Sequence, residues 1–418
     1  MTDRTSAWTS AFSEARWLNQ KRVITYSRLF LAVYAITIIF TLVLSRNFID
    51  PQGKPVGTDF ICFWTAGRIA LDGHAVDVYN FNYMFAMEQK MMPWGPGQKT
   101  PLLPWLYPPV FLFAAAALAF LPYGAALGAW TAATLPLYLA SVRSILPGKN
   151  AIPAALAFPA AFTNLVHGQN GFLTAGLLGG ALVLLARSPW LAGVLFGLLA
   201  YKPQLALLIP LALLVGGYWR TMLAAAVTAV LFIGLSWAVF GSRVWPAFFA
   251  SLPTTRLNGL ENGAAGWGAL QSLFSAVRMY GGSVELAYWL QGVLAILTAV
   301  ALVWIWLKPV SASVKCAALP IAMLLATPYV LDYDLTLLAL PIAWIAGIGL
   351  REGFLPWEKI TLFAAWLLPL LAHTMGKFLR LPLAPFVMAL LLAITIRRAL
   401  SDLTVIGNTA ETSFNSLL

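Results

Sequence analysis

The chain has 418 residues, 60% of them hydrophobic and only 10% charged. A soluble domain carries about 25% charged residues, so a chain this apolar cannot present a wettable surface, and a soluble globular protein is excluded. The net charge of +11 does not indicate a nucleic-acid binder either: Lys and Arg fall in short stretches between apolar runs, as in the cytoplasmic loops of membrane proteins.

In chain order, residues 1–28 are polar and basic, with Arg4, Arg16, Lys21, Arg22 and Arg28, which predicts a cytoplasmic N-terminal segment. The apolar run that follows is long enough to span, so it does not read as a cleavable signal. This first span covers about 29–46 and delivers the chain to the outer face. The stretch after it, 47–122, is too rich in Gly, Pro and charge to span at first, yet carries helical signals. Thr58 reads as an N-cap and Gly73 as a stop, enclosing Asp59–Asp72. Phe60, Phe63, Trp64 and Gly67 recur there at helical spacing, the pattern of a helix lying on the membrane surface. A second such helix is expected over Asn80–Met91. Residues 107–121 could span or re-enter. Only the re-entrant reading puts Arg143, Lys149, Arg187, Arg220, Lys308, Lys315, Arg351, Arg397 and Arg398 on the cytoplasmic side together, and it is therefore preferred.

The expected spans then continue at about 123–142, 151–166, 171–186, 190–201, 203–216, 221–240, 285–307, 314–330, 335–350, 360–374 and 383–398. That makes about twelve, with both termini inside. Several are too short to cross upright, which implies broken helices around a cavity. Residues 241–284 form a second outer loop, and 401–418 a polar cytoplasmic tail expected to be disordered. Trp94, Trp105, Trp219, Trp245 and Trp357 lie near run ends, where interfacial anchors sit. Cys62 and Cys316 fall on opposite sides and are not expected to pair; no metal-spaced Cys/His cluster is present.

In this topology the unusual polar residues gather on the outer side. Asp59 opens the first outer loop. His167-Gly168-Gln169-Asn170 and Tyr201-Lys202-Pro203-Gln204 each join two short spans, and Asp332-Tyr333-Asp334 follows Thr327-Pro328-Tyr329. Polar groups at membrane depth are costly and read as functional by default.

The ordered set GTDFICFWTAGRIALDG, VYN, YPP, HGQNG and YKPQ, within about residues 57–345, resembles the bacterial glycosyltransferase family 87, membrane mannosyltransferase-like enzymes of the GT-C superfamily. The resemblance implies an all-α polytopic membrane domain over 29–400. It further implies a polyprenyl-phosphate-hexose donor, no metal or other cofactor, and inversion at the anomeric carbon. The acidic residue that such enzymes carry early in the first outer loop corresponds to Asp59. The usual His after the Ser-Pro or Thr-Pro element does not appear here, which leaves the roles of Asp332 and Asp334 open.

The residues support that chemistry in their own terms. Sugar transfer to a hydroxyl needs one carboxylate to take the acceptor proton, and the lipid phosphate leaves as a stable anion without a general acid. Asp59 at a helix start is held ionised by the helix dipole; its plainer role would be to assist the N-cap. Lys202, beside the helix-breaking Pro203, offers a cation to the donor phosphate, the plainer reading being an interfacial lysine snorkelling to headgroups. Gln169, Asn170, Tyr107 and Gln204 are further candidates for the donor, and Gln169 and Asn170 could equally be a simple turn. Asp332, Asp334 and His167 are candidates for the acceptor; the two aspartates could instead pair with Arg256 or Arg278, and His167 could be structural. Asp72, His74 and Asp77 read as solvated surface groups.

The function expected is transfer of a hexose, mannose by resemblance, to a glycan or glycolipid hydroxyl on the outer face of a bacterial plasma membrane. The partners are the donor, the acceptor and membrane lipid, with no nucleic acid. The alternative, a multi-span transporter or glycolipid flippase, should show repeat symmetry and polar groups at the bilayer midplane. The sequence shows neither.

Overall fold

The computed structural model describes residues 12–92 and 103–415; Arg4 and Trp94, named above, lie outside them. Among the described residues all regular structure beyond isolated bridges is helical. In chain order the α-helices are α1 Gln20–Leu44, α2 Phe60–Leu71, α3 Phe81–Met91, α4 Leu112–Ala119, α5 Tyr123–Ile145, α6 Ala151–Leu156, α7 Pro159–His167, α8 Gly171–Leu184, α9 Pro189–Leu198 and α10 Pro203–Ala206. They continue as α11 Ile209–Val215, α12 Trp219–Phe240, α13 Val244–Thr255, α14 Leu273–Met279, α15 Val284–Leu307, α16 Ala312–Ala326, α17 Ala339–Glu352, α18 Glu358–Leu379 and α19 Leu383–Asn415.

Among the described residues, seven helical segments are long and apolar enough to cross a membrane: α1, α5, α12, α15, Asp332–Glu352, α18 and the part of α19 up to Ile406. The five other expected spans fall on shorter or interrupted helices, α6 with α7, then α8, α9, α10 with α11, and α16. Prolines set many of the breaks. Pro159, Pro189 and Pro203 each open a helix, where the missing N–H costs nothing and the fixed φ favours the first turn. Residues 109–119 form a 3₁₀ turn and α4, too short to span.

The layers are graded by burial. Only 11% of the apolar window of α1 or α12 is buried by protein, against 83% for Asp332–Glu352. The first two are therefore lipid-facing and the last is the central post. Close helix approach uses small residues, as expected where lipid removes the hydrophobic drive for association. A Cβ on Gly193 would lie 2.4 Å from the Ala224 Cβ, and one on Gly197 2.6 Å from the Ala225 carbonyl, so α9 packs backbone to backbone on α12. Gly67 does the same for α2 against Ala115 on α4.

Four expectations need correcting. Helix α2 starts at Phe60 with Asp59, not Thr58, at the N-cap position; the Thr58 hydroxyl is turned to the Pro55 carbonyl instead. Trp105 is no interfacial anchor: it is fully buried, stacked on Phe111 and edge-on to Phe63. The described part of the tail, 401–415, is helical rather than disordered, since α19 runs on to Asn415 and Asp402 accepts the Ser311 N–H at 2.9 Å, tying the helix to the head of α16. Asp332 and Asp334 find partners other than Arg256 and Arg278, as set out below.

Candidate active site

Two turns meet at one end of the bundle, the outer end in the expected topology. Gly57 and Gly168 both sit at positive φ, +75° and +64°, and a Cβ on either would strike Leu127; on Gly168 it would also come within 2.6 Å of the Phe60 Cβ. Only glycine allows both the left-handed backbone and the close approach. The result is a direct link between loops: the Asp59 N–H donates to the His167 carbonyl at 3.0 Å.

The Asp59 carboxylate does not cap α2, although Asp is among the best cap residues. Its Oδ2 accepts from the Gln169 amide Nε2 at 3.0 Å, and its Oδ1 lies 3.5 Å from His167 Nδ1. Gln169 is itself held on three sides. Its Oε1 accepts from the Tyr107 hydroxyl at 3.2 Å, its carbonyl from the Trp130 indole at 3.3 Å, and its N–H donates to the Asn164 carbonyl at 3.0 Å. The Tyr107 carbonyl in turn accepts from the Tyr79 hydroxyl. Burial, with the Asp334 and Cys62 groups nearby, pushes the Tyr107 phenol well up, so it stays neutral and donates. Burial pulls the His167 imidazole down, but Asp59 against Nδ1 and the neighbouring Asp332 outweigh it, with Lys54 opposing; its pKa ends above the ordinary histidine value. The Asp59 side chain keeps 20% of its surface exposed, enough for a substrate group to reach it.

A second cluster lies deeper. Lys202, between the Leu199–Tyr201 turn and Pro203, is fully buried and paired with Asp334. It also donates to Asn170 Oδ1 at 2.7 Å and lies 5.1 Å from the centre of the Tyr333 ring. Asp334 is oriented by the Leu331 N–H at 3.0 Å. Asn170 occupies the N-cap position of α8 without capping it, and its Nδ2 is buried with no partner. Asp59 and Asn170 are thus both cap-type residues at helix starts whose side chains serve the site instead.

The pairing of Asp332 and Asp334 follows from what surrounds them. Arg256 is taken by Glu261 at 3.1 Å, and Arg278 by the Gly282 and Glu261 carbonyls. Asp334 instead answers the buried Lys202, whose charge would be costly unpaired. Asp332 lies 3.3 Å from His373 Nδ1. The snorkelling alternative for Lys202 fails, because its ammonium points into protein rather than to the membrane surface. Gln204 is exposed and outside this network. His74 and Asp77 form an exposed pair, as a solvated surface would have it.

The sequence analysis passed over Asn164, Trp130 and His373. Asn164 is buried and its Oδ1 accepts the Gly171 N–H at 2.6 Å, shaping the 164–171 turn. An amide in an apolar run five residues before the Gly-flanked Gln169-Asn170 turn was a usable signal; Trp130 and His373 sit inside apolar runs and gave none.

The sequence model of glycosyltransferase family 87 matches residues 105–328, more than half of the chain. The chain belongs to glycosyltransferase family 87. No curated protein and no solved structure matches it. Family 87 membership makes this multi-pass membrane protein a glycosyltransferase, which requires a sugar donor and an acceptor. The family 87 match includes Tyr107, His167, Gln169, Asn170 and Lys202, while Asp59, Asp332 and Asp334 come to them through the fold from outside it.

Proposed function

We propose that this family 87 enzyme transfers a hexose, mannose by resemblance, from a polyprenyl-phosphate donor to a hydroxyl of a glycan or glycolipid acceptor. The reaction is proposed to occur at the outer face of a bacterial plasma membrane, with both termini in the cytoplasm. The observation that carries the reading is the Asp59 carboxylate: released from capping, fixed by Gln169 and His167, and still open to one side.

In the proposed reaction Asp59 takes the proton of the acceptor hydroxyl as its oxygen attacks the anomeric carbon. The bond from that carbon to the donor phosphate oxygen breaks, and the lipid phosphate leaves with the electron pair. Attack opposite the leaving group inverts the anomeric centre. His167, its protonated form favoured by Asp59, holds the carboxylate's orientation. Lys202 and Asn170, with Gln169 and Tyr107, face the donor side; the unpartnered Asn170 Nδ2 is a donor suited to a phosphate or sugar oxygen. No divalent metal is proposed, so activity should survive EDTA. The alternative, a transporter or flippase, lacks the support that family membership gives the enzyme.

The test is Asp59→Asn in purified protein assayed with radiolabelled polyprenyl-phosphate sugars. Asn caps a helix about as well as Asp and keeps the hydrogen-bonding shape, but it cannot take a proton. A folded variant that binds donor and transfers at least ~100-fold more slowly supports the base. Transfer at close to the normal rate would sink it.

A further inference from the structure

Next to Asp332, which its lining residue His373 contacts, the protein has a cavity of about 530 Å³. That is within the size of pockets that hold small ligands, about 300–1,000 Å³, and well beyond what one phosphate needs. Its lining includes four basic side chains, Arg278, His373, Lys377 and Arg380, together with Trp267 and Tyr280; among the described residues no Asp or Glu lines it. The wall is built in: Gly268 of the 241–284 loop lies against Gly376 of α18, and a Cβ on Gly268 would fall 2.8 Å from the Lys377 nitrogen. The Arg278 guanidinium lies 5.4 Å from the Trp267 ring centre, tethered by the Gly282 and Glu261 carbonyls, and its Nε is buried without a partner. His373 reaches from this cavity to Asp332 at 3.3 Å, and Asp332 is close enough to His167 to raise its pKa. The cavity therefore touches Asp332 through His373, and Asp332 lies within electrostatic reach of His167 at the Asp59 site.

We propose that this cavity seats the acceptor, and that the acceptor is an anionic glycan, bearing a phosphate or carboxylate beside the hydroxyl that receives the sugar. The inference rests on the transferase reading above. Arg278, Lys377 and Arg380, with no Asp or Glu among the described lining residues, select an anion, and Arg and Lys bind phosphate and carboxylate by charge-assisted hydrogen bonds. Trp267 and Tyr280 add flat apolar faces with polar tips, suited to pack against a sugar ring. The Asp332–His373 link gives the seat a fixed relation to the proposed base, so that an acceptor held by its charge presents its hydroxyl to Asp59.

The experiment uses the full chain in neutral detergent and glucose 6-phosphate, glucuronic acid and glucose as probes, followed by ligand-observed NMR. The two charged sugars should bind and glucose should not, with affinity falling as salt rises. Lys377 and Arg380 are exposed, so Lys377→Gln with Arg380→Gln should leave the fold intact and weaken the charged sugars at least ~10-fold. Farnesyl phosphate, a stand-in for the donor lipid, should not displace them. Equal binding of glucose, or unchanged affinity in the double variant, would overturn the proposal. Displacement by farnesyl phosphate would overturn it too, by making the cavity the donor's. This binding does not depend on Asp59 chemistry, so charged sugars held here by a chain with no transferase activity would leave the seat standing and the function reading fallen.

Discussion

Both ends of this bundle bury an ion pair, and the two pairs are built differently. At the Glu358 end of α18, the inner end in the proposed topology, Arg398 gives its Nε and a terminal nitrogen to Glu358 at 2.5 and 2.6 Å and bonds the Gly353 carbonyl at 2.6 Å; Glu358 also accepts the Leu355 N–H at 2.8 Å. The charged groups there are enclosed by protein partners, and Glu352 adds a fringe contact. About 22 Å along the same helix, by a rise of 1.5 Å per residue from Glu358 to His373, the outer end begins. There Lys202 and Asp334 are as deeply buried, but the group that completes them, Asn170, keeps a buried amide N–H₂ without a partner. A buried polar group left unpaired costs about 1–3 kcal/mol. The first network closes on itself and serves the fold; on the proposed reading, the second keeps its spare donor for the sugar donor.

Separating these two roles gives the largest expected effect. Glu358→Ala leaves Arg398 buried and unpaired and should cost about 3–5 kcal/mol, read as a fall in thermal stability in detergent with the transfer rate per folded molecule unchanged. Equal loss of activity and fold would erase the contrast between the ends.

The complementary change replaces both members of the outer pair, Lys202→Met with Asp334→Leu. Buried pairs exchanged for apolar groups of similar size are often neutral for stability. The fold should therefore hold while donor use falls by about tenfold or more. A fully active double variant would make this pair as structural as the inner one.

A smaller effect is expected from Asn170→Ala, which removes the spare amide and one acceptor of Lys202. The donor KM should rise, on the scale of about 1.5–3 kcal/mol for a bond to a charged partner, and should rise more than thermal stability falls. An unchanged KM would show that the spare donor faces nothing in the reaction.

The smallest effect concerns pH. The His167 pKa is raised in the fold by Asp59 and Asp332. Its pairing therefore stabilises the protein fully below the ordinary histidine value of about 6.5 and is lost as pH rises through the higher folded value. His167→Gln should flatten the stability profile across that interval; a decline of the same size in the variant would assign it to another group.

Much of this plan was legible before any coordinates. Apolar runs and the placement of Lys and Arg give the order of the helices, because hydrocarbon forces backbone bonds to close within each segment. The break at Pro203 and the Gly73 stop are local chemistry, and the structure has them where the sequence puts them, whereas the break at Pro159 divides an expected single span. What escaped depends on distance along the chain. Lys202 and Asp334 are 132 residues apart, and nothing in one sequence says which carboxylate answers which cation. The same holds for His373, a single polar residue in an apolar run whose meaning comes only from Asp332. Trp105 misled because an aromatic near a run end has the same composition whether it faces headgroups or fills the core under Phe111.

The bond from the Asp59 N–H to the His167 carbonyl also has a bearing on timing. The carboxylate rides on the 47–122 loop, while the imidazole and amide that aim it ride on the bundle. If that loop lifts to admit or release a lipid, this bond and the Gln169 bond break together, and the carboxylate departs from its aim in the same motion. Opening and disarming are then one event. On the proposed reading, a donor would then meet a working base only while the two loops stay joined, which would hold back stray hydrolysis.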